Sequence, residues 1–115
     1  MELTNEFDVS APIDRTWATL TDVEAIAPCL PGAQLQEIDG DEFKGIVKVK
    51  VGPITANYKG AATFVEKDDT AHKAVLRAEG RDARNGNAQA MITAQLVSLG
   101  DSLTKVQVST DLHVT

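Results

Sequence analysis

The sequence predicts an α+β domain in which two short helices accompany a curved antiparallel sheet. Most of the chain alternates apolar and polar residues with a period of two, which is typical of strands with one solvated face. Short turns rich in Gly, Asp and Pro join these segments, which favours antiparallel neighbours. One segment near the N-terminus has the spacing of an amphipathic helix. The 115 residues are enough for one domain, predicted to span 1–115.

The N-terminal part begins with a strand and continues with two helices. In the strand, Leu3 and Phe7 face one way, together with Asn5 and Val9. The first helix lies within residues 11–20, where Pro12 suits the first turn and Asp14 suits the positive end of the helix dipole. Its predicted buried face consists of Ile13, Trp17 and Leu20. The second helix lies within residues 21–27, is capped by Thr21 or Asp22 and ends before Pro28.

Six further strands follow, joined by turns whose residues are typical of hairpins. The strands are predicted at residues 34–38, 42–51, 54–66, 73–80, 88–99 and 103–115. The turns are Asp39-Gly40-Asp41, Gly52-Pro53, Asp68-Asp69 and Gly100-Asp101. Residues 81–87, RDARNGN, are predicted to form a polar loop in which Gly86 has a positive φ angle.

Charge and cysteine content exclude several classes of function. The net charge is −6, so the surface repels phosphates, and binding to nucleic acid or unspecifically to anionic lipid is disfavoured. A local basic patch can still override this repulsion at one place. Cys29 is the only cysteine, which fits a reducing cytoplasm. The sequence has neither a signal peptide pattern nor an apolar run of membrane-spanning length, so a soluble chain is expected.

The predicted inner face of the sheet is apolar, uncharged and made mostly of small side chains. An empty void of ~300 Å³ costs ~7 kcal/mol, which rivals the stability of a whole domain. The interior must therefore be packed by a helix, filled by an apolar ligand or collapsed. The predicted ligand-binding residues are Phe7, Trp17, Ile26, Leu30, Val47, Val49, Val51, Ala56, Tyr58, Ala62, Phe64, Leu76, Ala78, Ala90, Ile92, Ala94, Val106, Val108 and Leu112.

Other candidate chemistry is weaker. Cys29 has no obvious histidine partner, because His72 falls near a turn and His113 on an outward face. Neither the two histidines nor the acidic turns have the spacing of metal ligands, so no metal site is predicted. Arg81 and Arg84 form either a soluble loop or a rim that contacts lipid headgroups or a partner protein. The hydroxyl of Tyr58 is expected to bind a backbone acceptor or a carbonyl group of a buried ligand.

Several segments resemble a known family. The order of one strand, two helices and six strands resembles the START-like, or helix-grip, fold of the SRPBCC superfamily. SAPIDRTWATLTD, PCLPGA, VKVGPITANYKGAA and RDARNGNAQAMITAQL are similar to CoxG, a family of carbon monoxide dehydrogenase subunits. Members of the fold usually close with a long C-terminal helix. The sequence ends within a strand pattern at DLHVT, so the closing helix and a membrane tail are expected to be missing.

The apolar inner face together with the resemblance favours a non-catalytic carrier of a hydrophobic ligand, with a respiratory quinone such as menaquinone or ubiquinone as that ligand. The implied partners are a molybdenum-containing carbon monoxide dehydrogenase and the inner face of the cell membrane. A homodimer that covers the open sheet is a further expectation. The main alternative is a membrane-recruitment or assembly factor with no ligand of its own. A polyketide cyclase-like enzyme is disfavoured, because it requires acids or bases inside the cavity.

Overall fold

A computed structural model shows seven strands and two short helices, and it describes residues 2–26, 33–51, 53–82 and 86–114. The predicted order of elements is confirmed. The elements are β1 (Glu2–Val9), α1 (Ile13–Leu20), α2 (Val23–Ile26), β2 (Ala33–Asp39), β3 (Glu42–Val51), β4 (Ile54–Asp68), β5 (Lys73–Asp82), β6 (Gly86–Gly100) and β7 (Leu103–Val114).

All seven strands belong to one antiparallel sheet in the order β1-β7-β6-β5-β4-β3-β2. Strands β2 to β7 form a meander, in which each strand pairs with the next along the chain. The segment through α1 and α2 carries the chain from β1 at one edge to β2 at the other. Among the described residues, no helix other than α1 and α2 accompanies the sheet, and neither is long and apolar enough to span a membrane.

The polar segment RDARNGN was predicted as a loop, and this prediction is partly wrong. Arg81 pairs with Asn87 and Asp82 pairs with Gly86, so four of its residues extend the β5–β6 hairpin. The Nε atom of Arg81 donates to Oδ1 of Asn87 at 3.2 Å. The polar composition of this segment reflects its position at the exposed end of a hairpin, and it does not imply an irregular backbone. The predicted positive φ angle of Gly86 is confirmed at 82°.

The packed core lies at the end of the sheet where α1 contacts β6 and β7. Trp17, Ala74, Leu96 and Val106 are buried there, and the predicted helix face that includes Ile13 and Leu20 packs with them. Val106 is only 1% exposed. The φ angle of Pro12 is −61°, as in a helix, but its ψ angle is 153°, so it caps α1 rather than opening its first turn. Asp22 accepts a hydrogen bond from the backbone amide of Ala25 in α2 at 3.3 Å.

The turn between β4 and β5 is fastened to this core. Nε1 of Trp17 donates to Oδ1 of Asp69 at 2.8 Å, which satisfies the only polar group of a buried indole. His72 has a φ angle of 54°, and its Nε2 lies 3.1 Å from Oδ1 of Asp14 in α1. The Nε2 atom of Gln95 donates to the carbonyl oxygen of Ala71 at 2.8 Å. Side chains from α1 and β6 therefore hold the turn from two sides.

Asp68 closes the same turn through its charge, which predicts a specific dependence of stability on pH. The backbone amides of Ala71 and Thr70 each donate to Oδ1 of Asp68 at 3.0 Å and lower its pKa below the ordinary 3.8. A carboxylate with a lowered pKa stabilises the fold above its unfolded pKa, and this stabilisation is lost as the pH falls through the folded pKa. We expect Asp68→Asn to lower the Tm at pH 7, and we expect its difference from the wild-type Tm to shrink as the pH falls below 3.8.

Circular dichroism melts between pH 7 and about pH 3 measure this difference. Asp101→Asn serves as the control, because it removes the same charge from the turn between β6 and β7, where no hydrogen bond to Asp101 is found within the described residues. A difference between wild type and Asp68→Asn that stays constant with pH would contradict a role for the carboxylate charge.

Candidate functional site

A row of glycines crosses the sheet at the end away from the packed core. Gly45, Gly60 and Gly80 are paired neighbours on β3, β4 and β5, and Ala88 continues the row on β6. A Cβ atom on Gly60 would overlap the carbonyl oxygen of Glu79. A Cβ atom on Gly80 would lie 3.1 Å from Cβ of Tyr58. The row therefore allows β4 and β5 to approach closely, and it leaves the inner face without side chains at the three glycine positions.

An apolar cavity of about 410 Å³ lies over the inner face beside this row. Its central wall consists of five apolar residues, one from each of the strands β3 to β7, and each is paired with the next across the sheet. These residues are Phe43, Ala62, Ala78, Ala90 and Leu112. Three of these five side chains are single methyl groups, so they line the cavity without filling it. Val47 borders the cavity and is 46% exposed, which places it at the rim.

Tyr58 is the polar group that register places on the inner side of this wall. It pairs with Val47 on β3, and two of its ring carbons would lie within 3.7 Å of a Cβ atom on Gly80. Its hydroxyl has no hydrogen-bond partner among the described residues. Lys44, Glu79 and Gln89 also border the cavity. Their register positions alternate with those of the inner face, so they belong to the opposite side of the sheet.

The structure divides the predicted ligand-binding residues into three sets. Eight border the cavity: Val47, Tyr58, Ala62, Leu76, Ala78, Ala90, Ile92 and Leu112. Seven lie elsewhere on the sheet or in the packed core: Phe7, Trp17, Ala56, Phe64, Ala94, Val106 and Val108. The remaining predictions fall on Leu30 or on the side chains of Ile26, Val49 and Val51, which lie outside the described part of the chain. Of the predicted rim, Arg81 borders a groove on the outer face and Arg84 is outside the described residues.

Sequence reasoning missed several residues that border the cavity. Phe43 belongs to the inner row of β3, and its alternation with Val47 was a usable signal. Leu35 reaches the cavity from β2, where a bulge between Leu35 and Glu37 breaks the alternation. Val23 of α2 also borders it. No periodicity in a four-residue helix could have placed that side chain.

A second groove, of about 780 Å³, lies on the outer face over the same glycine row. Its lining is polar and includes the charged residues Glu37, Lys44, Lys59, Glu79 and Arg81. The two cavities share eight residues around the row, because glycine backbone is accessible from both sides of a sheet. The smaller inner cavity is the better candidate for a hydrophobic ligand, since the side chains that face it by register are apolar apart from Tyr58.

The other predicted features are placed as follows. His72 contacts Asp14, and His113 is exposed with its Nε2 atom 3.4 Å from Oδ1 of Asp111. The described ranges contain no group of three or more histidine, cysteine, aspartate or glutamate residues that could hold a metal ion. Cys29 lies outside those ranges.

The family model of CoxG, a carbon monoxide dehydrogenase subunit, matches residues 6–115, which is nearly the whole chain. The chain belongs to this family. The family name describes one component of an enzyme complex, and the match covers both the helices and the cavity-forming strands. A comparison with functionally curated proteins gives no significant match.

Solved structures with the same fold include two enzymes and a conserved protein. The conserved protein, from Geobacillus kaustophilus, has a TM-score of 0.86 at 15% identity, with 100% of this chain covering 75% of that chain. ZhuI aromatase/cyclase from Streptomyces sp. R1128 has a TM-score of 0.68 at 16% identity, with coverage of 100% and 68%. Norcoclaurine synthase from Thalictrum flavum has a TM-score of 0.68 at 19% identity, with coverage of 99% and 69%. These likenesses establish the START-like helix-grip fold of this CoxG-family chain.

Proposed function

We propose that this CoxG-family domain is a non-catalytic carrier of a hydrophobic ligand. The observation that carries the proposal is the apolar cavity of about 410 Å³ over the inner face, whose central wall includes three methyl-sized side chains. Ligand sites commonly have volumes of about 300–1,000 Å³ and apolar walls with few polar groups. A domain selected only for stability would fill this space, because buried apolar contact is its main source of stability.

We further propose that the ligand is an isoprenoid quinone, either menaquinone or ubiquinone. The apolar wall suits an isoprenoid chain, and the hydroxyl of Tyr58, which has no partner among the described residues, suits a quinone oxygen. The family name supports a carbon monoxide dehydrogenase as the protein partner. The carrier would bring a membrane-dissolved quinone to that enzyme from the inner face of the cell membrane, and so serve electron transport.

Catalysis in the cavity is the competing proposal, because two proteins of the same fold are a cyclase and a synthase. General acid–base catalysis requires a titratable group that reaches the substrate. Among the described residues that border the cavity, Tyr58 is the only titratable side chain that faces it by register. This arrangement favours binding over chemistry.

Solvent extraction tests the carrier directly. The chain is purified without detergent from a quinone-producing host, extracted with organic solvent and examined by mass spectrometry. A bound quinone near one equivalent supports the proposal. A protein that yields no quinone or other lipid, and binds none when titrated with a short-chain quinone, would falsify it.

Tyr58→Phe tests the polar contact inside the cavity. Loss of one hydrogen bond to a quinone oxygen is expected to weaken binding by roughly 3- to 10-fold. Isothermal titration with a short-chain quinone measures the change, and an isoprenoid hydrocarbon without oxygen atoms is the control ligand. We expect Tyr58→Phe to bind the hydrocarbon as tightly as wild type does. Equal weakening for both ligands would show that the ring, and not the hydroxyl, is responsible.

A further inference from the structure

Within the part of the chain that the structure describes, the outer face of the sheet carries three cations without acidic partners. Lys48, Lys59 and Arg81 are exposed, and we name them the cationic strip. Within the described residues none of the three forms an ion pair, whereas Lys67, Lys73 and Lys105 do, with Asp41, Glu66 and Glu6. The net charge of the chain is −6, so the strip is a local reversal of the overall charge.

Register places the cations of the strip close together. Lys59 on β4 is directly opposite Arg81 on β5, an arrangement of like charges that is destabilising by itself. Lys48 pairs with Asn57, two positions from Lys59 on the same face. The two carboxylates nearest to Arg81 in sequence, those of Glu79 and Asp82, already have other partners. Oε1 of Glu79 contacts Nη2 of Arg77 at 3.1 Å, and Oδ2 of Asp82 accepts from the backbone amide of Asn57.

The strip lies at the same end of the sheet as the rim of the apolar cavity, but on the opposite face. Lys48 follows Val47 and Lys59 follows Tyr58, so in each pair one residue faces the cavity and the next presents a cation on the outer face. At this end Val47 is 46% exposed, and Val114, which pairs with Ala88 of the glycine row, is 56% exposed. An exposed apolar rim next to unpaired cations matches a lipid bilayer, which offers phosphate and hydrocarbon within a few ångströms of each other. An acidic protein surface would match the cations but not the rim.

We propose that the cationic strip holds the mouth of the apolar cavity against a bilayer that contains anionic phospholipid. The inference rests on the proposed carrier function, because it gives the route by which a lipid-soluble ligand enters the cavity. The apolar rim would lie at the headgroup boundary, and Lys48, Lys59 and Arg81 would contact lipid phosphates. The acidic remainder of the surface would be repelled, which orients the domain with its cavity toward the lipid.

Vesicle flotation tests the proposal with the 115-residue chain. Vesicles of phosphatidylcholine with about 30 mol% phosphatidylglycerol are compared with pure phosphatidylcholine vesicles at about 0.1 M salt. We expect binding to the anionic vesicles only. The triple variant Lys48→Gln/Lys59→Gln/Arg81→Gln should bind roughly 100-fold more weakly, because each cation near an anionic surface contributes about a five-fold factor. The control Lys67→Gln/Lys73→Gln/Lys105→Gln changes the net charge equally and should bind as wild type does.

The outcomes separate this inference from the carrier function. A strip variant that melts as wild type does and still takes up a short-chain quinone in solution, yet does not bind vesicles, supports the inference. Vesicle binding by a wild type that never holds a quinone supports the strip and contradicts the carrier. Equal weakening by the strip and control variants, or no vesicle binding by wild type, overturns the inference and would leave an acidic protein as the partner of the strip.

Discussion

Gly60→Ala is expected to destabilise the domain by about 3 kcal/mol or more, which is a large fraction of the about 5–15 kcal/mol that is typical of a folded domain. The added methyl group would overlap the carbonyl oxygen of Glu79 on β5. That oxygen is part of the backbone of a paired strand, so it cannot rotate away as a side chain would. The strands must separate, which weakens the pairing between β4 and β5 on either side of Gly60.

Gly80→Ala is the matched control for this variant. It makes the same substitution on the neighbouring strand of the same row, but its methyl group would meet Cβ of Tyr58 at 3.1 Å. A shift of a few tenths of an ångström relieves that contact at a cost of ~1 kcal/mol. The entropy lost by the unfolded chain on a glycine-to-alanine change offsets much of this cost. Urea denaturation measures both variants, and similar stabilities for the two would contradict a close approach of β4 and β5 at Gly60.

The alternation of residues was sufficient to predict the sheet, and it failed where the pairing departs from a regular ladder. The strand Glu42–Val51 was predicted with its observed bounds, because Val47 and its neighbours alternate with lysines. Bulges at β4 and β6 fall between Phe64 and Glu66 and between Ser98 and Gly100. Val65 and Leu99, the extra residues, are 52% and 46% exposed although they are apolar. The apolar character of these two residues does not by itself predict that they are exposed at bulges.

The cavity could be predicted as a property of the inner face, but its position along the strands could not. Trp17 and Ala78 both belong to the predicted apolar interior, yet one lies in the packed core and the other borders the cavity. The difference arises because α1 covers one end of the sheet and the glycine row lies at the other. The glycines on β3, β4 and β5 are far apart in sequence, and they become neighbours only through register.

Ala78→Phe is expected to abolish most ligand binding while the domain stays folded. Ala78 lies in the middle of the cavity wall, between Ala62 on β4 and Ala90 on β6. A phenyl ring there would occupy space that the proposed ligand needs. If the ring displaces about three methylene groups of the ligand from the cavity wall, binding loses about 2.4 kcal/mol, which corresponds to roughly 50-fold weaker binding. The ring also covers neighbouring apolar surface, so stability should change by less than ~1 kcal/mol.

Met91→Phe is the control, because it places the same ring on the outer face of β6, where Met91 is 40% exposed and pairs with Arg77. Quinone titration and denaturation of both variants distinguish the carrier from a domain whose interior is only packed. In a carrier, Ala78→Phe loses the ligand and keeps its stability, and Met91→Phe keeps both. In a packed interior the added ring has no room, so Ala78→Phe would instead lose about 1–3 kcal/mol through overpacking. A folded Ala78→Phe that binds quinone as wild type does would place the ligand outside this cavity.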